Sequence, residues 1–106
     1  MMSRFILLYI GDGKSGDPEK DSDNYNKYME WLGKLNKILV SPANPLKDNT
    51  IVKSDRIIEN VSVTGLSGYT IIEAANIKEA AEISKGCPFL DSGGVIEIAE
   101  LIQMNR

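Results

Sequence analysis

Residues 5–10, FILLYI, are apolar without a break. In an extended strand alternate side chains face opposite ways, so Phe5, Leu7 and Tyr9 would look one way and Ile6, Leu8 and Ile10 the other. A strand that is greasy on both faces has to be covered on both. No other feature restricts the fold as much. The chain must supply, or borrow, two layers of cover for this one strand.

The cover available within the chain is modest. A helix is predicted over residues 23 to 39, where Tyr25, Tyr28, Met29, Leu32, Leu35 and Leu39 recur at steps of three and four. Asp21, Ser22 and Asp23 supply its cap, Trp31 and Ile38 sit at the margin of the stripe, and Ser41-Pro42-Ala43-Asn44-Pro45 breaks it. Thr50-Ile51-Val52 begins a second strand near an edge. Residues 56–58 and 61–63 are short strand pieces, and residues 69–74 (YTIIEA) form a third strand. Asn76-Ile77-Lys78-Glu79 has capping-box form and opens a short helix bearing Ile77, Ala80, Ala81 and Ile83, with Gly86 as its stop. A turn at Asp91-Ser92-Gly93-Gly94 leads into a last strand over residues 95 to 104, in which Ile96, Ile98 and Ile102 share a face.

The order strand, helix, strand, strand, helix, strand is the ferredoxin-like plan. It predicts an α+β domain over residues 1–106, βαββαβ, with an antiparallel four-stranded sheet. A chain of 106 residues buries roughly 65% of its unfolded surface, enough for one modest core. Two helices cover only one face of such a sheet. The other, with a footprint on the order of 400 Å², predicts a homodimer packed sheet to sheet.

Several function classes are disfavoured. The formal charge is −3, without the basic footprint that nucleic acid demands. Gly11-x-Gly13-x-x-Gly16 follows a strand, but Gly16-Asp17-Pro18-Glu19-Lys20-Asp21 reads as a loop rather than a helix N-terminus, and Asp12 and Asp17 repel phosphate. The glycines therefore read as a flexible connection whose positive φ angles they permit, and Asp12 and Lys14 as residues placed to touch a ligand. There is no histidine and one cysteine, Cys87, so no metal site and no disulfide is expected, nor any cofactor. The apolar run at the start is too short for a signal segment or a membrane span, which predicts a cytoplasmic protein without membrane contact.

Candidate site residues are few. Glu73 and Glu97 sit among apolar strand neighbours, where burial would raise a carboxyl into the acid–base range. With Asp12 they are the catalytic candidates, against the alternative that they lie on a sheet rim. Tyr9, Tyr28, Trp31 and Tyr69 are candidates for an aromatic ligand pocket, against the alternative that they are core. Cys87 reads as structural.

Residues 68–74 (GYTIIEA), Gly86-Cys87-Pro88, Ser92-Gly93-Gly94 and Val95-Ile96-Glu97-Ile98 resemble the C-terminal half of the YCII-related (DGPF) family. Tyr9-Ile10-Gly11-Asp12 and a helix carrying Tyr28, Trp31 and Leu35 are similar to its N-terminal layout. The resemblance implies a dimeric α+β barrel, in which two ferredoxin-like subunits press their sheets together. Some relatives are enzymes with a proposed His-Asp pair, which this chain, lacking histidine, does not have. Ser62-Val63-Thr64-Gly65-Leu66 stands where the family carries Asp-Gly-Pro-Phe, and Ala99-Glu100 where it carries Arg-Pro. The sequence thus predicts a dimer that takes a small apolar or aromatic ligand in a cleft at the sheet or dimer interface. The alternatives are a lyase or isomerase using carboxylate and tyrosine, and a non-catalytic structural module.

Overall fold

The computed structural model describes residues 2–104. Strand β1 (Ser3–Ile10) is followed by helix α1 (Pro18–Lys34) and strand β2 (Leu39–Pro45). Two short strands, β3 (Ile51–Val52) and β4 (Ile57–Ile58), pair only with each other. Strand β5 (Leu66–Ala74), helix α2 (Ile77–Ser84), a 3₁₀ turn (Pro88–Ser92) and strand β6 (Val95–Glu100) complete the fold. The main sheet has the order β2-β5-β1-β6, and its pairs are antiparallel. This is the ferredoxin-like α+β arrangement, with β3 and β4 inserted between its second and third strands.

The alternation in β1 is realised. Phe5, Leu7 and Tyr9 are buried beneath the helices with Ile72, Ala74 and Ala80, while Ile6, Leu8 and Ile10 lie on the opposite face. In register with these last three are Ile71, Tyr69 and Leu66 of β5 and Ala99, Glu97 and Val95 of β6. Among the described residues no helix packs over this face, since α1, α2 and the 3₁₀ turn all meet the core on the other side. Val95 is 58% exposed there.

Several expected boundaries shift. The helix predicted over residues 23 to 39 starts at Pro18, because Asp17 accepts the Glu19 N–H and proline suits the first helical turn. It ends at Lys34, where the Leu35 carbonyl turns the chain by accepting the N–H groups of Ile38 and Leu39. Tyr25 and Met29 are exposed, whereas Trp31, expected at the margin, is buried with Leu32. The proline-bearing segment read as a breaker is the second strand of the sheet. It is an edge strand with two register shifts, the setting in which missing N–H groups do no harm. The strand expected at residues 50–52 instead joins the small β3–β4 hairpin, and residues 61–63 form no strand. The last strand stops at Glu100, and Ile102, at 84% exposed, is outside it. The capping box holds: Asn76 Oδ1 accepts the Glu79 N–H at 2.8 Å.

Cys87 is buried beneath Trp31 and its neighbours in the core. Burial pushes its thiol up from 9.0 to about 11, a rise partly offset by the Phe89 N–H. The folded state therefore holds this proton more tightly than the unfolded chain does. Its contribution is complete below about pH 9 and lost as pH rises toward 11, a loss of about 2 kcal/mol. Urea unfolding between about pH 8 and pH 10, below the range where the buried Tyr9 phenol adds its own loss, is expected to show the onset of this decline, with Cys87→Ala flattening it. An equally steep decline in Cys87→Ala would assign the effect to another group.

Candidate functional site

The start of β5 brings Gly68, Thr70 and Ile72 to the helix-covered face, in line with Tyr9, Leu7 and Phe5 of β1. Thr70 is completely buried, so its hydroxyl must find partners within the protein. It lies against the carbonyl oxygen of Pro42, in the shifted part of β2. A carbonyl only accepts, so Thr70 donates; otherwise two sets of lone pairs would face each other.

One donation fixes the rest. The Thr70 oxygen, its proton spent, accepts from Tyr9 Oη at 2.6 Å. The Tyr9 oxygen in turn accepts from Tyr28 Oη at 3.1 Å. Protons thus point from Tyr28 through Tyr9 and Thr70 to Pro42. Burial pushes the Tyr9 phenol well above its ordinary value. Tyr9 stays protonated, and the chain keeps its direction. Reversing it would forfeit the bond to the Pro42 carbonyl, about 1 kcal/mol.

A cleft of about 490 Å³ opens over this chain, between the first half of α1, the β2 edge and the start of β5. Tyr9, Tyr28, Met29, Pro45 and Phe89 supply its apolar wall. Tyr9 meets Tyr28 edge-on, with ring centroids 5.8 Å apart at 82°, and lies 5.1 Å from Phe89. Gly68 keeps the floor open: a Cβ there would stand 3.1 Å from the Asn44 carbonyl oxygen and 3.6 Å from the Tyr9 ring.

The mouth is charged. Asp12, Lys14 and Asp21 line it. The Lys14 N–H binds Asp12 Oδ1 at 2.9 Å, and the N–H and hydroxyl of Ser15 both donate to Asp21 Oδ1 at 2.8 Å. These bonds from Ser15 hold the Asp21 carboxyl below its usual value. They tie the glycine-rich loop to α1, and Gly11, Gly13 and Gly16 all have positive φ, as that path requires.

Two of the four predicted pocket aromatics, Tyr9 and Tyr28, come together here with Asp12 and Lys14; Tyr69 borders the cleft, but it stands in register with Leu8, so its side chain belongs to the opposite sheet face. Trp31 lies behind the wall, stacked on Tyr28 at 6.1 Å. Glu73 and Glu97 are elsewhere: they pair in register with Arg4 and Leu8 on the uncovered sheet face. Sequence reasoning missed Thr70, Asn24, Asn44 and Phe89. Thr70 carried a legible signal, since it is the one polar residue at an inward position of a strand otherwise lined by Ile72 and Ala74. A second hollow of about 500 Å³, lined by Asp12, Asp48, Asn60 and Ser62 among others, contains no aromatic side chain. Among the described residues no cluster of three or more His, Cys, Asp or Glu side chains is placed to hold a metal, and no helix is long and apolar enough to cross a membrane.

Comparisons with known proteins agree with the fold. The family model described as YCII-related domain matches residues 2–105. No curated protein sequence matches the chain. Among solved structures, the chain is similar to the 5-chloro-2-hydroxyhydroquinone dehydrochlorinase (TftG) from Burkholderia phenoliruptrix AC1100, in complex with 2,5-dihydroxybenzoquinone. The identity is 20%, the TM-score 0.53, and the match covers 88% of this chain and 90% of that one.

Proposed function

The chain belongs to the YCII-related domain family, and from that premise we propose that it binds a small aromatic molecule in the tyrosine-lined cleft. The observation that carries this reading is the cleft itself: a space of about 490 Å³ walled by Tyr9, Tyr28 and Phe89 above a buried hydrogen-bonded chain. A similarly folded protein whose structure holds a dihydroxylated quinone lends it support. Catalysis is a further step that needs its own observation. Asp12 is the one of the three carboxylate candidates at the cleft, so acid–base chemistry there would run through it.

Two copies of the chain, in this reading, pack their uncovered sheet faces together through Ile6, Leu8, Ile10 and Ile71 in the cytoplasm. The apolar residues in register across β5, β1 and β6 support that arrangement, because exposed patches of this kind mark interfaces.

Titration of the 15N-labelled protein with phenol tests the binding. Amide shifts are expected around Gly13, Tyr28, Gly68 and Phe89, and Tyr28→Leu, which removes part of the wall, should weaken binding about tenfold. Shifts confined to other regions, or none at millimolar phenol, would end this reading.

A further inference from the structure

We propose that the cleft selects aromatic ligands that donate hydrogen bonds, neutral hydroxyarenes, over ring compounds of the same shape that only accept. This rests on the binding reading above and names the chemistry that the site accepts. The reason is a count of protons already committed. Tyr28 has given its proton to Tyr9, so its oxygen has only lone pairs left to offer. Both amide protons of Asn24 are engaged, on the Pro88 carbonyl at 2.9 Å and on Ser92 Oγ at 3.5 Å. Those of Asn44 go to Ser41 Oγ at 2.9 Å and the Tyr69 carbonyl at 3.2 Å. The Ser67 hydroxyl is spent on the Tyr9 carbonyl at 3.3 Å.

Four polar side chains that line the cleft therefore present oxygen acceptors. At the mouth, two carboxylates, Asp12 and Asp21, stand against one ammonium, Lys14. Side-chain donors among the described lining residues remain on exposed Lys14 and Tyr25, and on Tyr69, whose side chain stands with Leu8 on the opposite face of the sheet. A ligand that brings hydroxyl protons satisfies these acceptors. One that brings a carbonyl, an ether or an anionic oxygen sets lone pair against lone pair, and a buried acceptor left unpaired costs affinity.

Calorimetric titration with hydroquinone and with 1,4-dimethoxybenzene decides it. Hydroquinone should bind at least about tenfold more tightly. Tyr28→Phe, which keeps the ring and removes one of the four acceptors, should narrow that preference, by weakening hydroquinone binding and not dimethoxybenzene binding. A second arm uses 4-nitrophenol, which ionises near neutrality. Its affinity should fall as pH rises through that point. No histidine is present to titrate in the same window, so the fall reports the ligand. Equal affinity for hydroquinone and its dimethyl ether, or a 4-nitrophenolate that binds as well as the phenol, would overturn donor selection and leave aromatic binding standing. Failure of all three compounds to bind would remove both.

Discussion

Gly94→Ala is expected to destabilise the protein by about 2–3 kcal/mol, the upper range for overpacking, and to lower Tm by about 10 °C. The cause is the seat of Phe89. A Cβ at Gly94 would lie 2.2 Å from Phe89 Cε2, 2.5 Å from Cδ2 and 2.6 Å from Cζ, all inside contact distance. The ring has no retreat, because its other edge faces Gly13, where a Cβ would stand 2.9 Å from Cε1. The two glycine backbones hold the ring between them, and Tyr9 packs on it. Gly93→Ala gives the comparison. Its φ of +83° makes alanine strained, but nothing lies within 4 Å, so only about 1 kcal/mol should be lost. Thermal unfolding of both variants, and of Gly94→Ala combined with Phe89→Leu, checks the account. The double variant should recover part of the loss. A Gly94→Ala protein that melts with the parent would show that Phe89 is seated elsewhere.

Leu8→Asp should convert a dimer into monomers. Leu8 is central on the uncovered face, between Tyr69 on β5 and Glu97 on β6, with Ile6 and Ile10 along its own strand. Within one subunit this face meets water, so a carboxylate there does little to the fold. Between two packed sheets it would be buried without a partner charge, which costs about 3 kcal/mol or more and raises the dimer dissociation constant at least about 100-fold. Sedimentation velocity is the measurement. The parent chain should sediment at twice 11.7 kDa and Leu8→Asp at 11.7 kDa, with the same circular dichroism spectrum. A parent chain that is monomeric at micromolar concentration would remove the dimer from this account.

The boundary shifts share a physical origin. Pro42 and Pro45 read as breakers because a proline signal is local, and a lone strand cannot announce that it will lie at an edge. Helical phase places Trp31 at the stripe margin. Its burial depends on which way α1 is rolled against the sheet and the 3₁₀ turn, which phase does not state. The aromatic site was half legible. Tyr9 and Tyr28 could be named as pocket candidates, but Asn24, Asn44 and Phe89 reach them only through contacts across the fold, such as Asn24 to Pro88 over 64 residues.

The two-faced first strand, the third strand, the capping box at Asn76 and the ferredoxin-like order follow from the sequence alone, because periodicity and caps act between residues a few positions apart. The cleft, the direction of its proton chain and the seat of Phe89 were decided only by tertiary structure. Each depends on which polar atom lands opposite which after β2, β5 and α1 have packed. A hydroxyl that is free in the unfolded chain acquires an orientation only when a carbonyl from a distant strand is placed against it.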